Sequence, residues 1–276
     1  MQSTKTFSPY EEEIRALRKK RRAIRLLTVL ALLALFLFLT PVSIYVMEEP
    51  VFIREGLPIP VLIILALLIL FLSLLSTAVV SNVLINSLET ECDPEKHMAL
   101  NARFTKPKAM TANYAVDLLY LGRFEEAITY AAQMALSPDV NQSALGLYHR
   151  ARAEFFLGRY DSLAASHAAF VARLSGQSRI KPRMQEEYQK MNRVLELLRA
   201  IGEKDTEKIR ALRPTVKTNN GDTVAAHIFL CYVLGLASLA LSDKEEAVYR
   251  LKTVTDRASK TVFATLAEEQ LSALRH

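Results

Sequence analysis

The sequence predicts an all-α protein with two parts, an N-terminal transmembrane helical hairpin and a cytoplasmic array of stacked helical hairpins. Three observations predict this fold. Two uncharged apolar runs, 26–47 and 57–86, are each long enough to cross a bilayer as a helix, which takes about 20 residues. The chain after Leu88 is rich in the helix-favouring residues Ala, Leu, Glu, Lys and Arg. In that part of the chain a turn between two helical patterns also recurs at near-regular intervals.

The connection between the two apolar runs predicts their topology. Residues 48–56 are too few to form a folded domain, so the chain should return to the side on which it began. Seven Arg and Lys residues lie between Arg15 and Arg25, whereas the connection carries only Arg54 against three Glu residues. Basic residues that flank transmembrane helices stay in the cytoplasm. Both termini are therefore expected in the cytoplasm.

A cleaved signal peptide is the alternative interpretation of the first apolar run, because a basic start before an apolar stretch also describes one. The residues after Leu39 contain no small-x-small cleavage site. We therefore expect a multi-pass cell-membrane protein, bacterial in character. Its predicted domains are a basic N-terminal segment (1–25), two transmembrane helices (26–88, with spans near 26–47 and 57–86) and a helical-repeat domain (89–276).

Small polar residues form a streak in the second apolar run. They are Ser73, Ser76, Thr77, Ser81 and Asn82. They can pack against the first run or against a second copy of the chain, or they are small residues tolerated in a long helix. Transport of ions normally leaves ionisable residues at membrane depth, and neither run contains one. The sequence therefore favours an anchor over a transporter.

Charge and cysteine usage exclude several classes of function. The formal net charge of +6 is concentrated before the first run, where eight basic residues face three acidic ones. The region after Leu88 shows no basic stripe with interleaved aromatic residues, so we expect no nucleic-acid partner. The cysteines Cys92 and Cys231 are far apart, and a zinc site needs three or four ligands. We predict no metal and no cofactor.

Helical hairpins are the repeating unit after Leu88. The clearest unit, 114–138, has a turn at Gly122 between two helical patterns and ends at Pro138. Its turn aligns with three later ones at spacings of 36, 44 and 40 residues. The four aligned turn residues are Gly122, Gly158, Gly202 and Ser242. Each hairpin exposes an apolar face that only a neighbour can cover, so the hairpins should stack, and 261–275 should form a capping helix.

These hairpins resemble tetratricopeptide repeats. The resemblance covers about 112–251. The first unit matches the family pattern at Gly122, Phe124, Ala127 and Pro138, the second at Gly158 and Tyr160, and the fourth at Leu234, Gly235 and Ala247. The third unit keeps only Gly202.

The resemblance implies a module that binds a protein or peptide partner along the surface lined by the first helix of each pair. The residues that it implies for this partner-binding groove are Tyr148, Arg152, Phe155, Asn192, Glu196, Arg199 and Tyr232. The three aromatic residues have an alternative role, packing between helices. The first unit lacks the Lys and Asn with which some family members clamp a C-terminal carboxylate.

No enzymatic motif occurs in the sequence. It contains no glycine-rich phosphate loop, no H-E-x-x-H and no G-x-S-x-G, and its histidines at 149, 167 and 227 are scattered over predicted helices. We therefore predict no catalytic residue.

The expected function is a membrane-anchored adaptor or scaffold for a cytoplasmic protein or peptide, with a second copy of the chain as a further candidate partner. The alternative is an accessory subunit of a membrane enzyme or transport complex.

Overall fold

The structure, a computed structural model, describes residues 9–39, 42–46, 49–54, 59–105, 107–175, 182–218 and 222–275. Residues 1–8 of the predicted basic segment and parts of the connection between the apolar runs lie outside this set. The chain divides into two compact units, 1–84 and 85–276. The described residues are mostly helical.

The first unit contains two long helices and a short hairpin of strands. Its elements are α1 (Glu11–Leu39), β1 (Val42–Val46), β2 (Glu49–Arg54) and α2 (Ile59–Glu89), the last turn of which belongs to the second unit. The strands β1 and β2 pair antiparallel, with Val46 opposite Glu49. The sequence did not predict this hairpin of strands.

The first apolar helix is shorter than predicted. The prediction of one helix over 26–47 is wrong, because α1 ends at Leu39 and Val42–Val46 is a strand. Proline at position 41 disfavours helical conformation in the residue before it, and the β-branched and aromatic residues that follow favour a strand. The apolar part of α1, which begins at Leu26, is therefore about 21 Å long at the helical rise of ~1.5 Å per residue.

The second apolar helix matches its prediction closely. Within the described part of the chain, Ile63–Glu89 is the one helix long and apolar enough to cross a membrane. The helix α2 as a whole begins at Ile59 and runs three residues beyond the predicted end at 86. An uncharged run with few helix breakers supports an uninterrupted helix of this length.

The second unit consists of helices in the residues that the structure describes, with no strand after Glu89. They are α3 (Pro94–Phe104), α4 (Pro107–Tyr120), α5 (Phe124–Ala135), α6 (Val140–Phe156), α7 (Tyr160–Ser175), α8 (Pro182–Gly202), α9 (Thr206–Leu212) with a 3₁₀ turn (Arg213–Thr215), α10 (Val224–Ala240), α11 (Lys244–Arg257) and α12 (Val262–Ala273). The helices pack as the pairs α4/α5, α6/α7, α8/α9 and α10/α11. The first helices α4, α6, α8 and α10 also contact one another in that order.

One type of turn recurs inside all four pairs. The second residue after each first helix has a left-handed backbone, with φ of 76° at Gly122, 69° at Gly158, 56° at Lys204 and 59° at Ser242. In each turn this residue donates its N–H to the carbonyl three residues back, and the next residue donates to the carbonyl five residues back. This is the Schellman arrangement, which satisfies the last carbonyls of a helix. The same backbone geometry therefore ends each first helix.

The third turn lies two residues later than its predicted glycine. Gly202 is the last residue of α8, and Lys204 takes the left-handed position. Gly202 has a packing role instead, because a Cβ atom there would lie 2.4 Å from the Tyr160 ring. The sequence alignment on Gly202 was therefore wrong in register.

Buried residues occupy one equivalent position near the start of the second helix in each pair. Ala127, Leu163, Ile209 and Ala247 each follow a turn by about one helical turn, and each is 0% exposed. Small residues also allow close backbone approach elsewhere, since a Cβ at Gly146 would lie 2.5 Å from the backbone nitrogen of Ala135. Close-packed contacts of this kind define the core of the second unit.

Candidate functional site

The predicted groove residues lie on three first helices and differ widely in exposure. Tyr148, Arg152 and Phe155 on α6 and Tyr232 on α10 are buried, between 4% and 8% exposed. On α8, Asn192 and Glu196 are half-buried and Arg199 is exposed. In this conformation the α8 residues are therefore the accessible part of the predicted surface.

Arg152 is enclosed by aromatic rings. Its guanidinium carbon lies 3.5 Å from the ring centroid of Phe229, 5.2 Å from that of Tyr148 and 5.8 Å from that of Tyr120. Its Nε and Nη2 atoms have no hydrogen-bond partner among the described residues. A cation over aromatic faces is stabilised by the ring quadrupoles. The aromatic faces therefore stabilise the charge of Arg152, a role that a carboxylate usually has for a buried arginine.

His149 is held neutral beside this cation. Its Nδ1 lies 3.4 Å from Nη1 of Arg152. Burial lowers the pKa of His149 to about 3, and the positive charge of Arg152 contributes to this lowering. Protonation of His149 would place a second positive charge in a dry environment, so the imidazole stays neutral at physiological pH.

Phe263 of α12 completes an aromatic cluster between the first helices. The aromatic cluster consists of Tyr120, Phe156, Phe229, Tyr232 and Phe263. The Phe263 ring centroid lies 5.0 to 5.7 Å from those of the other four rings. Such spacings are typical of favourable aromatic pairs. The predicted capping helix therefore also fills the space enclosed by α4, α6 and α10.

A chain of polar contacts orders the accessible face of α8. His167 Nε2 lies 2.9 Å from the Asn192 side-chain oxygen, and the Asn192 amide nitrogen donates to Glu196 at 2.8 Å. Arg199 pairs with Glu203 at 2.6 Å. Hydrogen bonds of this kind hold side chains in defined positions, which lowers the entropy lost when a partner binds.

A buried His and Asp pair lies outside the predicted groove. His97 Nδ1 on α3 is 2.6 Å from the Asp117 carboxylate on α4, and Asn101 contacts the same imidazole at 3.3 Å. Burial raises the pKa of Asp117 to about 6, although His97 and Asn101 oppose the rise. Sequence reasoning missed this pair. An available signal was the single acidic residue within the apolar pattern of α4.

The part of the chain that the structure describes contains no cluster suited to a metal ion. There, no three His, Cys, Asp or Glu residues come close enough to hold one. The thiols of Cys92 and Cys231 are both free and buried.

The helices α1 and α2 carry many exposed apolar side chains. All but four of the exposed large apolar side chains in the described residues lie between Leu26 and Ile85. Phe71 and Leu74 of α2, for example, are 60% and 62% exposed. Apolar surfaces of this extent are typical of helices that contact a membrane or another protein.

Comparison with protein-family models, curated proteins and solved structures found no match.

Proposed function

We propose that the chain is a membrane-anchored adaptor that holds a cytoplasmic protein or peptide partner at the membrane. The observation that carries this proposal is the exposed apolar surface of α2. An array of paired helices follows α2 in the chain. A helix of this kind is stable inside a bilayer, and an array of helical pairs offers an extended surface to a partner.

The array is proposed to be a solenoid of tetratricopeptide-like repeats. Two features support this. The same Schellman turn occurs inside four pairs, and the first helices α4, α6, α8 and α10 contact one another in chain order. Repeat proteins combine these features, because each unit contacts mainly its sequence neighbours.

The partner is proposed to contact the α8 face first. Asn192, Glu196 and Arg199 are accessible there, and hydrogen bonds or ion pairs hold them in place. Tyr148, Phe155 and Tyr232 are buried in this conformation, so the α8 residues are the ones that a partner can reach. Arginine is enriched among residues that dominate binding energy.

The anchor is proposed to be a two-span hairpin with both termini in the cytoplasm. The basic cluster between Arg15 and Arg25 supports a cytoplasmic start, and α2 returns the chain to that side. The apolar part of α1 is shorter than the ~30 Å hydrocarbon core, a mismatch that membranes accommodate by local thinning or by snorkelling of flanking basic residues.

Charge reversal on α8 tests the adaptor function. We compare Arg199→Glu with Arg193→Glu, an exposed arginine elsewhere on the same helix, in full-length protein purified from native membranes. The partner should be lost from Arg199→Glu and retained by Arg193→Glu, as measured by quantitative mass spectrometry of the purified complexes. Retention of every co-purifying protein by Arg199→Glu would contradict the proposed surface.

The second candidate function is an accessory subunit of a membrane enzyme or transport complex. It is favoured by the polar streak in α2, where Ser76 is 6% exposed and Thr77 donates to the Ser73 carbonyl at 3.4 Å. Polar residues on one face of a membrane helix contact other helices. Replacing Ser73, Thr77 and Asn82 by Leu should then disrupt assembly, and an unchanged complex on native gels would count against this function.

A further inference from the structure

A cavity of about 560 Å³ lies in the second unit, beside the 3₁₀ turn that follows α9 and against helices α10 and α11. Four cationic side chains line it, namely Arg210, Arg213, Lys217 and Arg250. Glu246 is the acidic residue in its lining. The lining therefore carries a clear excess of positive charge.

Two of these cations are held in place by carboxylates. Arg213 Nη1 pairs with Asp243 at 2.9 Å, and Arg250 Nε pairs with Glu246 at 2.7 Å. The Arg213 guanidinium lowers the pKa of the Asp243 carboxyl, so this partner is charged at neutral pH. Each guanidinium has five N–H donors, so donors remain for a ligand.

The other two cations are exposed. Neither Arg210 nor Lys217 forms an ion pair with a carboxylate among the residues that the structure describes. Cations that approach one another without enough counter-charge raise the local positive potential, particularly in a concave site. The excess of positive charge in the lining would therefore favour binding of an anion.

Part of the cavity lining is apolar. Leu234 of α10 and Leu241 after it belong to the lining, together with Val216 from the 3₁₀ turn region. Small-molecule sites typically combine an apolar lining with a few placed polar groups and have volumes of about 300 to 1,000 Å³. The cavity therefore suits a ligand with an organic body as well as a charge.

We propose that this cavity binds a phosphate-bearing organic anion no larger than a nucleotide. Arginine forks match phosphate oxygens in bidentate geometry, and four cations suit a multiply charged phosphate better than a single carboxylate. The phosphate can come from a soluble metabolite or from a phospholipid headgroup. This proposal is independent of the adaptor function, because none of its residues belongs to the α8 face.

Calorimetric titration with sodium pyrophosphate tests the site. The protein is the full-length chain in nanodiscs of phosphatidylcholine, which carries no net charge. We expect saturable one-to-one binding. Arg210→Ala and Lys217→Ala should each lower the affinity by about tenfold, the typical effect of one charge-assisted hydrogen bond. Both side chains are exposed, so the fold should tolerate these changes.

Lys252→Ala is the matched control, since Lys252 is exposed on α11 and does not line the cavity. It should bind pyrophosphate as the wild type does. A second arm replaces part of the lipid with phosphatidic acid. If phosphatidic acid weakens pyrophosphate binding by the wild type and not by Arg210→Ala, the natural ligand is a lipid headgroup. If binding by the wild type is unchanged, the natural ligand is a soluble molecule.

Three results would overturn the proposal. The first is the absence of pyrophosphate binding in the neutral nanodiscs. The second is equal affinity in wild type, Arg210→Ala and Lys217→Ala. The third is an equal loss of affinity in Lys252→Ala, because binding would then follow overall charge and not the cavity.

Discussion

At the scale of single residues, the second unit contains ionisable groups in buried positions, where a charge is energetically unfavourable. Arg152 is charged and surrounded by aromatic rings, His149 beside it is neutral, and Asp117 is buried against His97. The sequence indicates where these residues lie along a helix. It does not indicate their burial, because burial depends on which other helices cover them.

His149 should reduce the stability of the protein in acid. Its pKa is about 3 in the folded chain and about 6.5 when unfolded, so the unfolded state binds the proton first as the pH falls. The stability should therefore decrease as the pH falls below about 6.5, by at most about 1.4 kcal/mol per pH unit. In His149→Gln this decrease should be smaller, as measured by urea unfolding between pH 7 and pH 4. Parallel curves for the two proteins would contradict the buried neutral imidazole.

Asp117 should have the opposite pH dependence. Its folded pKa of about 6 lies above the ordinary value of 3.8, so the folded state binds the proton more tightly. Its contribution to stability is therefore present at low pH and decreases as the pH rises from about 4 to 6. The stability of wild type relative to Asp117→Asn should fall across that range in the same urea experiment. A constant difference would show that the carboxyl titrates normally.

At the scale of secondary-structure elements, the prediction worked where the signal is local. Gly122 and Gly158 are glycines at left-handed positions, and Ser242 takes the same conformation at the expected place. The third turn was misplaced because Lys204, a residue with no such preference, occupies the left-handed position. The end of α1 was also misplaced, because the predicted span followed the full length of the apolar run and continued past Pro41, which can stop a helix.

Two glycines of the array should respond differently to alanine. A Cβ at Gly146 would lie 2.5 to 2.7 Å from atoms of α5, so Gly146→Ala should destabilise the protein by about 1 to 3 kcal/mol through overpacking. A Cβ at Gly158 would have no atom within 4 Å, and the φ of this residue is 69°. Gly158→Ala should therefore cost only the left-handed conformation, about 1 kcal/mol. Chemical denaturation of both variants measures the difference, and equal losses would contradict the close approach of α5 and α6.

Phe263 should contribute strongly to the stability of the array, because it is 0% exposed among four other rings. Phe263→Ala should destabilise the protein by about 3 to 5 kcal/mol, as large-to-small changes in aromatic cores do. Glu268→Ala, at an exposed position of the same helix, is the control and should change the stability by less than about 0.5 kcal/mol. If Phe263→Ala unfolds at the same denaturant concentration as the control, α12 does not fill the space between the first helices.

At the scale of the whole molecule, the sequence does not indicate which of the predicted groove residues become buried. The sequence pattern selects residues on the first helices, and the structure does bring Tyr148 and Arg152 into contact. The pattern does not show how closely helices far apart in the array, such as α4 and α10, approach one another. The Tyr120 hydroxyl donates to the Ala225 carbonyl at 2.7 Å, a hydrogen bond between residues 105 positions apart. Closure of this kind depends on the sum of small angles between successive helices, so it leaves no local pattern in the sequence.

The native cysteines provide a low background for testing the membrane topology. Cys92 and Cys231 are each 1% exposed, and burial raises the pKa of the Cys92 thiol to about 12. A thiol must be accessible and ionised to react quickly with a maleimide. An impermeant maleimide applied to intact cells should therefore label the wild-type protein very slowly.

Introduced cysteines then distinguish a two-span anchor from a one-span anchor. If both apolar runs cross the membrane, Arg54→Cys in the connection should be labelled from outside, while Glu12→Cys and Lys252→Cys should be labelled only after the cells are opened. If only α2 crosses, Glu12→Cys and Arg54→Cys lie on the same side and share one labelling behaviour, opposite to that of Lys252→Cys. The basic cluster between Arg15 and Arg25 favours the first outcome, because moving these charges across the bilayer is unfavourable. Labelling of Glu12→Cys in intact cells would contradict the two-span anchor.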